Sequence, residues 1–199
     1  SNVDLIRSSS VVVVAVPIGA TAAVLAEVAE HIRPNSLLVE LTSVKTPFVD
    51  ALSGIPAPVL SLHPMFSPRV RDHRGEVCIV CKSQEPGGLG EYVERVLSAE
   101  GLELVRMGPD EHDRAMAVVQ GLTHLQSLAA GHCLAALGFD PEASLAVASP
   151  VYRIRMAMIG RVVAQDPRLY AEIEMFNPHV KAVLQQLEHS TNLLARLIE

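Results

Sequence analysis

The chain has 199 residues, of which 49% are hydrophobic, enough for one large domain or two small ones with buried cores. Its formal net charge of -6 at pH 7 and the absence of a basic run argue against nucleic acid as a partner. No apolar stretch reaches membrane-spanning length, so no membrane partner is expected either. The three cysteines are an odd number and are expected to be reduced thiols of a cytoplasmic protein.

The first half of the chain alternates between strand and helix patterns. Strands are predicted at 11–16, 37–41, 58–62, 77–80 and 102–106, and helices at 22–32, 47–52 and 89–100. The run of β-branched residues at 11–16 is typical of a strand buried on both faces of a sheet, and Thr21 is the expected N-cap of the helix that follows. The alternation predicts an α/β fold with a doubly wound parallel sheet.

The second half of the chain has no strand pattern. One long helix is predicted over 111–137, followed by a Gly-Phe-Asp-Pro break and helices at 141–148, 151–164 and from 167 to the C-terminus. His112 and Asp113, near the start of the long helix, are interpreted as N-terminal capping residues. We therefore predict an α/β domain over 1–108 and an all-helical domain over 109–199.

His63 is the first candidate functional residue. It comes at the end of the predicted 58–62 strand, and Pro64 restricts its backbone to an extended conformation. The carboxyl ends of strands in α/β sheets are where such folds bind ligands. A histidine that only satisfies a turn is the alternative.

A dinucleotide fold normally opens with a strand, a Gly-x-Gly-x-x-Gly turn and a helix whose N-terminus binds the pyrophosphate. No glycines in this chain have that spacing, and the first predicted strand begins at residue 11. The α/β domain is therefore expected to be a partial Rossmann-like domain that lacks its N-terminal βαβ unit.

Several segments together resemble the prephenate dehydrogenases, in particular the bacterial type fused to chorismate mutase. They occur in family order over nearly the whole chain, and include Leu-Thr-Ser-Val-Lys at 41–45, His-Pro-Met-Phe at 63–66 and Glu-His-Asp-Arg-Ala-Met at 111–116. The others lie at 15–18, 120–124, 149–153, 157–161 and 164–170. The resemblance implies an NAD-dependent oxidative decarboxylation of prephenate to 4-hydroxyphenylpyruvate, in tyrosine biosynthesis.

The resemblance also implies the catalytic residues. His63 matches the histidine that accepts the proton of the ring hydroxyl, a role that suits an imidazole because its usual pKa of roughly 6.5 lies near neutrality. Ser43 matches the serine that hydrogen-bonds and orients this histidine. The alternative for Ser43 is an N-cap of the segment after it, and both roles are compatible.

Prephenate carries two carboxylates, and a site for it needs cations. Arg153 and Arg161 are eight residues apart on one predicted helix, about 80° apart around its axis, and so share a flank. The resemblance implies that Arg161 pairs with a substrate carboxylate, that Arg153 supports it, and that His124 lies at the substrate entrance. Because the neighbouring residues are apolar, we expect at least one arginine to be partly buried. Surface arginines and a core histidine are the alternatives.

The candidate cofactor-binding residues are Val16, Pro17, Ile18 and Lys45. NAD is the expected cofactor, and NADP is the alternative. If Lys45 does not lie near the cofactor, we expect its side chain to be solvated. The family forms dimers through its helical domain, so a homodimer is expected. The family's glycine-rich segment and C-terminal end have no match here. The chain is therefore either a fragment or a natural short paralogue without cofactor binding, which would bind or aromatise a prephenate-like acid as a regulatory module or a lyase.

Overall fold

The computed structural model describes residues 1–81 and 87–198 of the chain. By their internal contacts these residues form two compact units, Ser1–Arg114 and Ala115–Glu199. The units divide within the helical region, a few residues after the domain boundary that the sequence suggests.

The first unit contains a five-stranded sheet in which the strands stand side by side in chain order. They are β1 (Val11–Val14), β2 (Leu37–Glu40), β3 (Val59–Pro64), β4 (Val77–Cys81) and β5 (Glu103–Met107). β1, β2 and β3 run parallel, β4 is antiparallel to β3, and β5 is parallel to β4. The α/β, Rossmann-like prediction is confirmed, although the sheet is not parallel throughout.

Helices alternate with these strands. They are α1 (Asn2–Ser8), α2 (Ile18–His31), α3 (Val49–Ser53) and α4 (Gly87–Ala99), with a short 3-10 turn at Thr46–Phe48. α1 was not predicted. The predicted N-cap at Thr21 is wrong, because α2 already begins at Ile18 and Thr21 lies inside it. There the hydroxyl of Thr21 donates to the carbonyl of Pro17 at 3.3 Å.

The prediction that β1 is buried on both faces is wrong. Val12 and Val14 are buried, but the side chains of Val11 and Val13 are exposed. β1 is the outermost strand in the order of the described sheet, and only one of its faces is covered by the residues described. A β-branched run therefore identified the strand correctly, but not its position in the sheet.

The two faces of the central strands differ in chemistry. One face carries an apolar cluster against which Val93 and Leu97 of α4 pack; its buried members are Leu37, Val39, Leu60, Leu62, Cys78 and Val80. Side chains alternate along a strand, so Glu40, Ser61 and His63 point to the other face. All three are buried. The fold thus places three buried polar side chains on this face of the sheet, among buried apolar ones such as Leu38 and Ile79.

The second unit is helical, as predicted. Its helices are α6 (Thr123–Ala136), α7 (Pro141–Ala146), α8 (Pro150–Val163), α9 (Pro167–Phe176) and α10 (Val180–Ile198). The single long helix predicted over 111–137 is instead α5 (Pro109–Met116), a π-helical segment at Ala117–Leu122, and then α6. α6 packs on α8, and α10 packs on the π-helical segment. Among the residues described, no helix combines the length and the hydropathy needed to cross a membrane.

Candidate functional site

A buried ion pair lies at the carboxyl ends of β2 and β3. Glu40 and Ser61 are paired in the sheet register, and the hydroxyl of Ser61 donates to Glu40 Oε2 at 2.7 Å. The ammonium group of Lys45 donates to the same oxygen at 2.9 Å and to the carbonyl of Leu62 at 2.7 Å. Both charged side chains are at most 1% exposed. A charge pair withdrawn from water in this way needs all of these hydrogen bonds.

The second oxygen of Glu40 is also satisfied. Both the backbone amide and the hydroxyl of Thr42 donate to Oε1. The expectation that Lys45 is solvated is therefore wrong, since its ammonium is buried against a carboxylate. Its role as a cofactor-binding residue remains a prediction.

His63 belongs to a chain of three buried polar side chains. Its Nδ1 lies 2.8 Å from Nε2 of His112, and Nδ1 of His112 lies 2.8 Å from a carboxylate oxygen of Asp113. The imidazole rings are tilted by 59°, with centroids 5.0 Å apart. The carboxylate of Asp113 also accepts the backbone amides of Lys45 at 2.9 Å and Thr46 at 2.8 Å. The prediction that His112 and Asp113 cap their own helix is therefore wrong. Their side chains instead connect this helix to β3 and to the start of the 3-10 turn.

The environment of His63 favours its neutral form. The pKa of His63 is lowered from 6.5 to about 3, first by burial and then by the positive charge of Lys45, against the opposing charge of Asp113. Burial alone would raise the pKa of Asp113, but hydrogen bonds from His112, Thr46 and Lys45 outweigh it and hold that pKa below its ordinary value. His63 is therefore an uncharged hydrogen-bonding group beside a charged carboxylate.

Ser43 is half-buried at the carboxyl end of β2. The N-cap alternative for Ser43 is wrong, because Lys45 occupies that position and the carboxylate of Asp113 receives the amides there. Whether Ser43 acts on His63 stays a prediction.

The three apolar candidates for cofactor binding lie between β1 and α2. Pro17 is exposed and occupies the N-cap position of α2, which receives no side-chain hydrogen bond there. Val16 is half-buried. The side chain of Ile18 is part of the hydrophobic core, so any contact it makes with a ligand would come from its backbone.

In the second unit, His124 lies in a small polar cluster on α6 and α9. Its Nδ1 is 3.2 Å from Oε1 of Glu174, and its ring meets that of Tyr170 edge-on, with centroids 4.5 Å apart. Burial raises the pKa of Tyr170, and the positive charge of Arg161 opposes the rise. Two predicted substrate-binding residues, His124 and Arg161, therefore both lie near Tyr170.

The expectation of a partly buried arginine on α8 is wrong, since both Arg153 and Arg161 are exposed in the structure. Both are long side chains whose stems can lie along a helix while their heads stay in water. Arg153 donates to the carbonyl of Leu145 at 2.9 Å. Arg155, on another flank of α8, lines a cavity of about 170 Å³ together with Gln126.

Sequence reasoning missed Glu40, His112 and Asp113 as parts of this site. Glu40 ends an otherwise apolar strand, which is a signal of a buried charge in need of a partner. Adjacent histidine and aspartate residues at a helix start match a capping pattern equally well, so their true contacts depend on how β3 and α5 pack.

Comparisons with known proteins point to the same family of proteins for both units of the chain. Residues 1–101 match the family model described as "Prephenate dehydrogenase, nucleotide-binding domain", and residues 108–199 match "Prephenate dehydrogenase, dimerization domain". A protein of Methanocaldococcus jannaschii with the name "Probable arogenate/prephenate dehydrogenase" is 33% identical over 207 residues, which cover 100% of this chain and 46% of that protein. The T-protein of Enterobacter agglomerans is 35% identical, over 92% of this chain and 48% of its own length.

A third relative is the 4-amino-4-deoxyprephenate dehydrogenase of Streptomyces pristinaespiralis, which is 29% identical over 99% of this chain and 67% of its own length. Among solved structures, prephenate dehydrogenase from A. aeolicus in complex with hydroxyphenyl propionate and NAD+ has a TM-score of 0.77 and 21% identity, over 96% of this chain and 69% of that one. At that identity the likeness shows the fold alone. The chain spans about half the length of the first two relatives. On the two family-model matches, which together cover nearly all of its residues, the chain belongs to the prephenate dehydrogenase family.

Proposed function

We propose that the protein carrying this chain is an NAD-dependent dehydrogenase that oxidatively decarboxylates prephenate to 4-hydroxyphenylpyruvate. The observation that carries the proposal is His63, an uncharged imidazole buried at the carboxyl end of a central strand in a chain of this family. Such a group can accept a proton without first losing one.

The reaction needs one proton acceptor, one hydride acceptor and one leaving group. His63 takes the proton of the ring hydroxyl as the C–O bond gains double-bond character. NAD, when bound, supplies the hydride acceptor. The carboxylate on the quaternary ring carbon leaves as carbon dioxide, the electron pair of its C–C bond completes the aromatic ring, and His63 returns its proton to the phenolate oxygen.

The low pKa of His63 is compatible with this role. A substrate with two carboxylates brings negative charge, and nearby negative charge raises the pKa of an imidazole toward the working pH. The free protein keeps His63 unprotonated, and the substrate itself strengthens it as a base.

We propose that Arg161 binds a substrate carboxylate and that Arg153 supports it. Both guanidinium groups are exposed on α8, and that of Arg153 donates to the carbonyl of Leu145. Arginine suits this task because its planar fork matches a carboxylate with two hydrogen bonds. His124 is proposed to lie at the entrance, held by Glu174.

The residues present fit the nicotinamide end of NAD. The turn 15–18 follows the carboxyl end of β1, and α2 begins there without a side-chain cap, so its backbone can face a ligand. Val16 and Pro17 offer an apolar surface. No Gly-x-Gly-x-x-Gly turn lies within the 199 residues, so the proposal for this chain is limited to that end of the cofactor.

A homodimer acting in the cytoplasm is part of the proposal. The match to a dimerization domain supports the dimer, as does an apolar row on α8 at helical spacing, in which Val151 is 76%, Ile154 64% and Met158 46% exposed. Cys78, Cys81 and Cys133 are free thiols in the structure, which supports a reducing compartment.

A dehydrogenase for arogenate or for an amino analogue of prephenate is the second candidate. The names of two relatives, one with arogenate and one with 4-amino-4-deoxyprephenate, favour it. The amino analogue replaces the ring hydroxyl with an amine, so the same acceptor at His63 would serve.

Steady-state kinetics of two variants test the proposal. His63→Asn is expected to lower kcat about 10²- to 10⁴-fold, because the general base is removed. Arg161→Ala is expected to raise the KM for prephenate about 10- to 100-fold and leave the KM for NAD unchanged, because one charge-assisted contact is lost. The exposed His132→Asn and Arg155→Ala are the matched controls. A His63→Asn variant with the kcat of the parent protein would refute the role of His63.

A further inference from the structure

His63 contacts the buried side chain of His112, which in turn contacts the buried side chain of Asp113. The contacts from Asp113 to His112 and from His112 to His63 are both 2.8 Å long. All three side chains are at most 3% exposed, so solvent does not compete for these contacts. Each contact must then pair one proton with one acceptor.

The positions of the ring protons of His112 and His63 can be assigned by starting from the carboxylate of Asp113. The carboxylate of Asp113 accepts two backbone amides and can only accept from the third contact, so Nδ1 of His112 donates. A neutral imidazole carries one ring proton, and Nε2 of His112 therefore accepts. Nδ1 of His63 must then donate, which places its lone pair on Nε2.

The assignment requires a neutral His112. In the neutral form Nδ1 of His112 donates to Asp113 and Nε2 accepts from His63, so that each of the two 2.8 Å contacts pairs one proton with one acceptor. The neutral form needs no further counter-charge.

We propose that His112 and Asp113 are positioning residues that hold His63 in the tautomer with its proton on Nδ1 and its lone pair on Nε2. The consequence for catalysis rests on the proposed function, in which Nε2 accepts the hydroxyl proton. An imidazole with its proton on Nε2 could not accept there.

Asp113 fixes the backbone around His63 as well. It holds the amide of Lys45, and the ammonium of Lys45 donates to the carbonyl of Leu62, the residue before His63. The carboxylate of Asp113 therefore positions the ring of His63 through His112 and the backbone next to it through Lys45.

The ¹⁵N chemical shifts of the histidine ring nitrogens test the tautomer directly, without substrate, because they distinguish protonated from unprotonated nitrogen. In the parent protein at pH 7, Nδ1 of His63 is expected to be protonated and Nε2 unprotonated; His63→Gln identifies the signals. A protonated Nε2 would overturn the proposal. This measurement needs no variant of His112 and stands even if that variant does not fold.

Two substitutions then test the positioning role. His112→Leu removes the acceptor, and is expected to give a mixture of His63 tautomers and a kcat lowered about 10²-fold or more, with the KM for prephenate unchanged. His112→Gln keeps a side-chain carbonyl that can accept from Nδ1, and is expected to retain the tautomer and kcat within about tenfold. The exposed His132→Gln is the control.

A His112→Leu variant with the tautomer and kcat of the parent would overturn the positioning role. If the parent protein shows the expected tautomer but does not oxidise prephenate, the proposed function fails while the assignment of the protons stands. The two claims are therefore separable.

Discussion

Replacing Lys45 with methionine is expected to lower the free energy of unfolding by about 3–5 kcal/mol, because it leaves a buried carboxylate without its counter-ion. The ammonium lies 2.9 Å from Glu40 Oε2, and at an effective dielectric constant of about 20 the attraction over that distance is roughly 6 kcal/mol. The hydrogen bonds from Thr42 and Ser61 remain and offset part of the loss.

Urea denaturation of the Lys45→Met variant measures this loss, with an unchanged m-value as the check on two-state behaviour. Lys45→Met combined with Glu40→Gln removes both charges and is expected to be more stable than Lys45→Met alone. Lys181→Met, at an exposed lysine, is the control and should change stability by about 0.5 kcal/mol or less. A loss below about 1 kcal/mol, or a double variant no more stable than the single one, would refute the reasoning.

Two further predictions concern pH and packing. The free energy of unfolding is expected to fall by up to roughly 5 kcal/mol between pH 6.5 and pH 3. Over that range His63 takes up a proton in the unfolded chain but not in the folded protein, where its pKa is about 3. In the His63→Gln variant this part of the dependence of stability on pH should be missing, and an equal dependence in both proteins would contradict the prediction. Gly121→Ala is expected to destabilise by about 1–3 kcal/mol, because a Cβ there would lie 3.0 Å from Val180 and 3.3 Å from Glu174. At Gly160 a Cβ would meet no atom of the described residues within 4 Å outside the local backbone of its own helix, so Gly160→Ala should instead be neutral or stabilising by up to about 1 kcal/mol. Thermal unfolding that ranks the two variants in the opposite order would contradict the packing described.

Much of the fold follows from local patterns. The apolar runs of β2 and β3 and the amphipathic pattern of α4 identified these elements to within a few residues, because burial of one face dictates the spacing of apolar side chains. Local patterns could not predict which strands lie next to each other in the sheet or in which direction each strand runs. The exposure of Val13 depends on β1 being outermost in the described sheet, and the antiparallel direction of β4 depends on the path of the loop before it.

The same limit applies to the site. His63 could be singled out because a strand end and a following proline are local features. Its contact with His112 joins residues 49 positions apart, and that of Lys45 with Asp113 joins residues 68 apart. Such pairs are fixed by packing alone. The family resemblance implies Ser43 as a partner of His63, which stays a prediction, and the contact of His112 with Nδ1 could be found only from the structure.

The most direct test of the central claim is to mix the protein with prephenate and NAD, follow the absorbance of the reduced cofactor and identify the keto acid formed. The proposed function predicts reduced cofactor and 4-hydroxyphenylpyruvate in equal amounts, both lost in His63→Asn. Phenylpyruvate formed without reduction of NAD, or prephenate bound but unchanged, would contradict a dehydrogenase and indicate a lyase or a binding module.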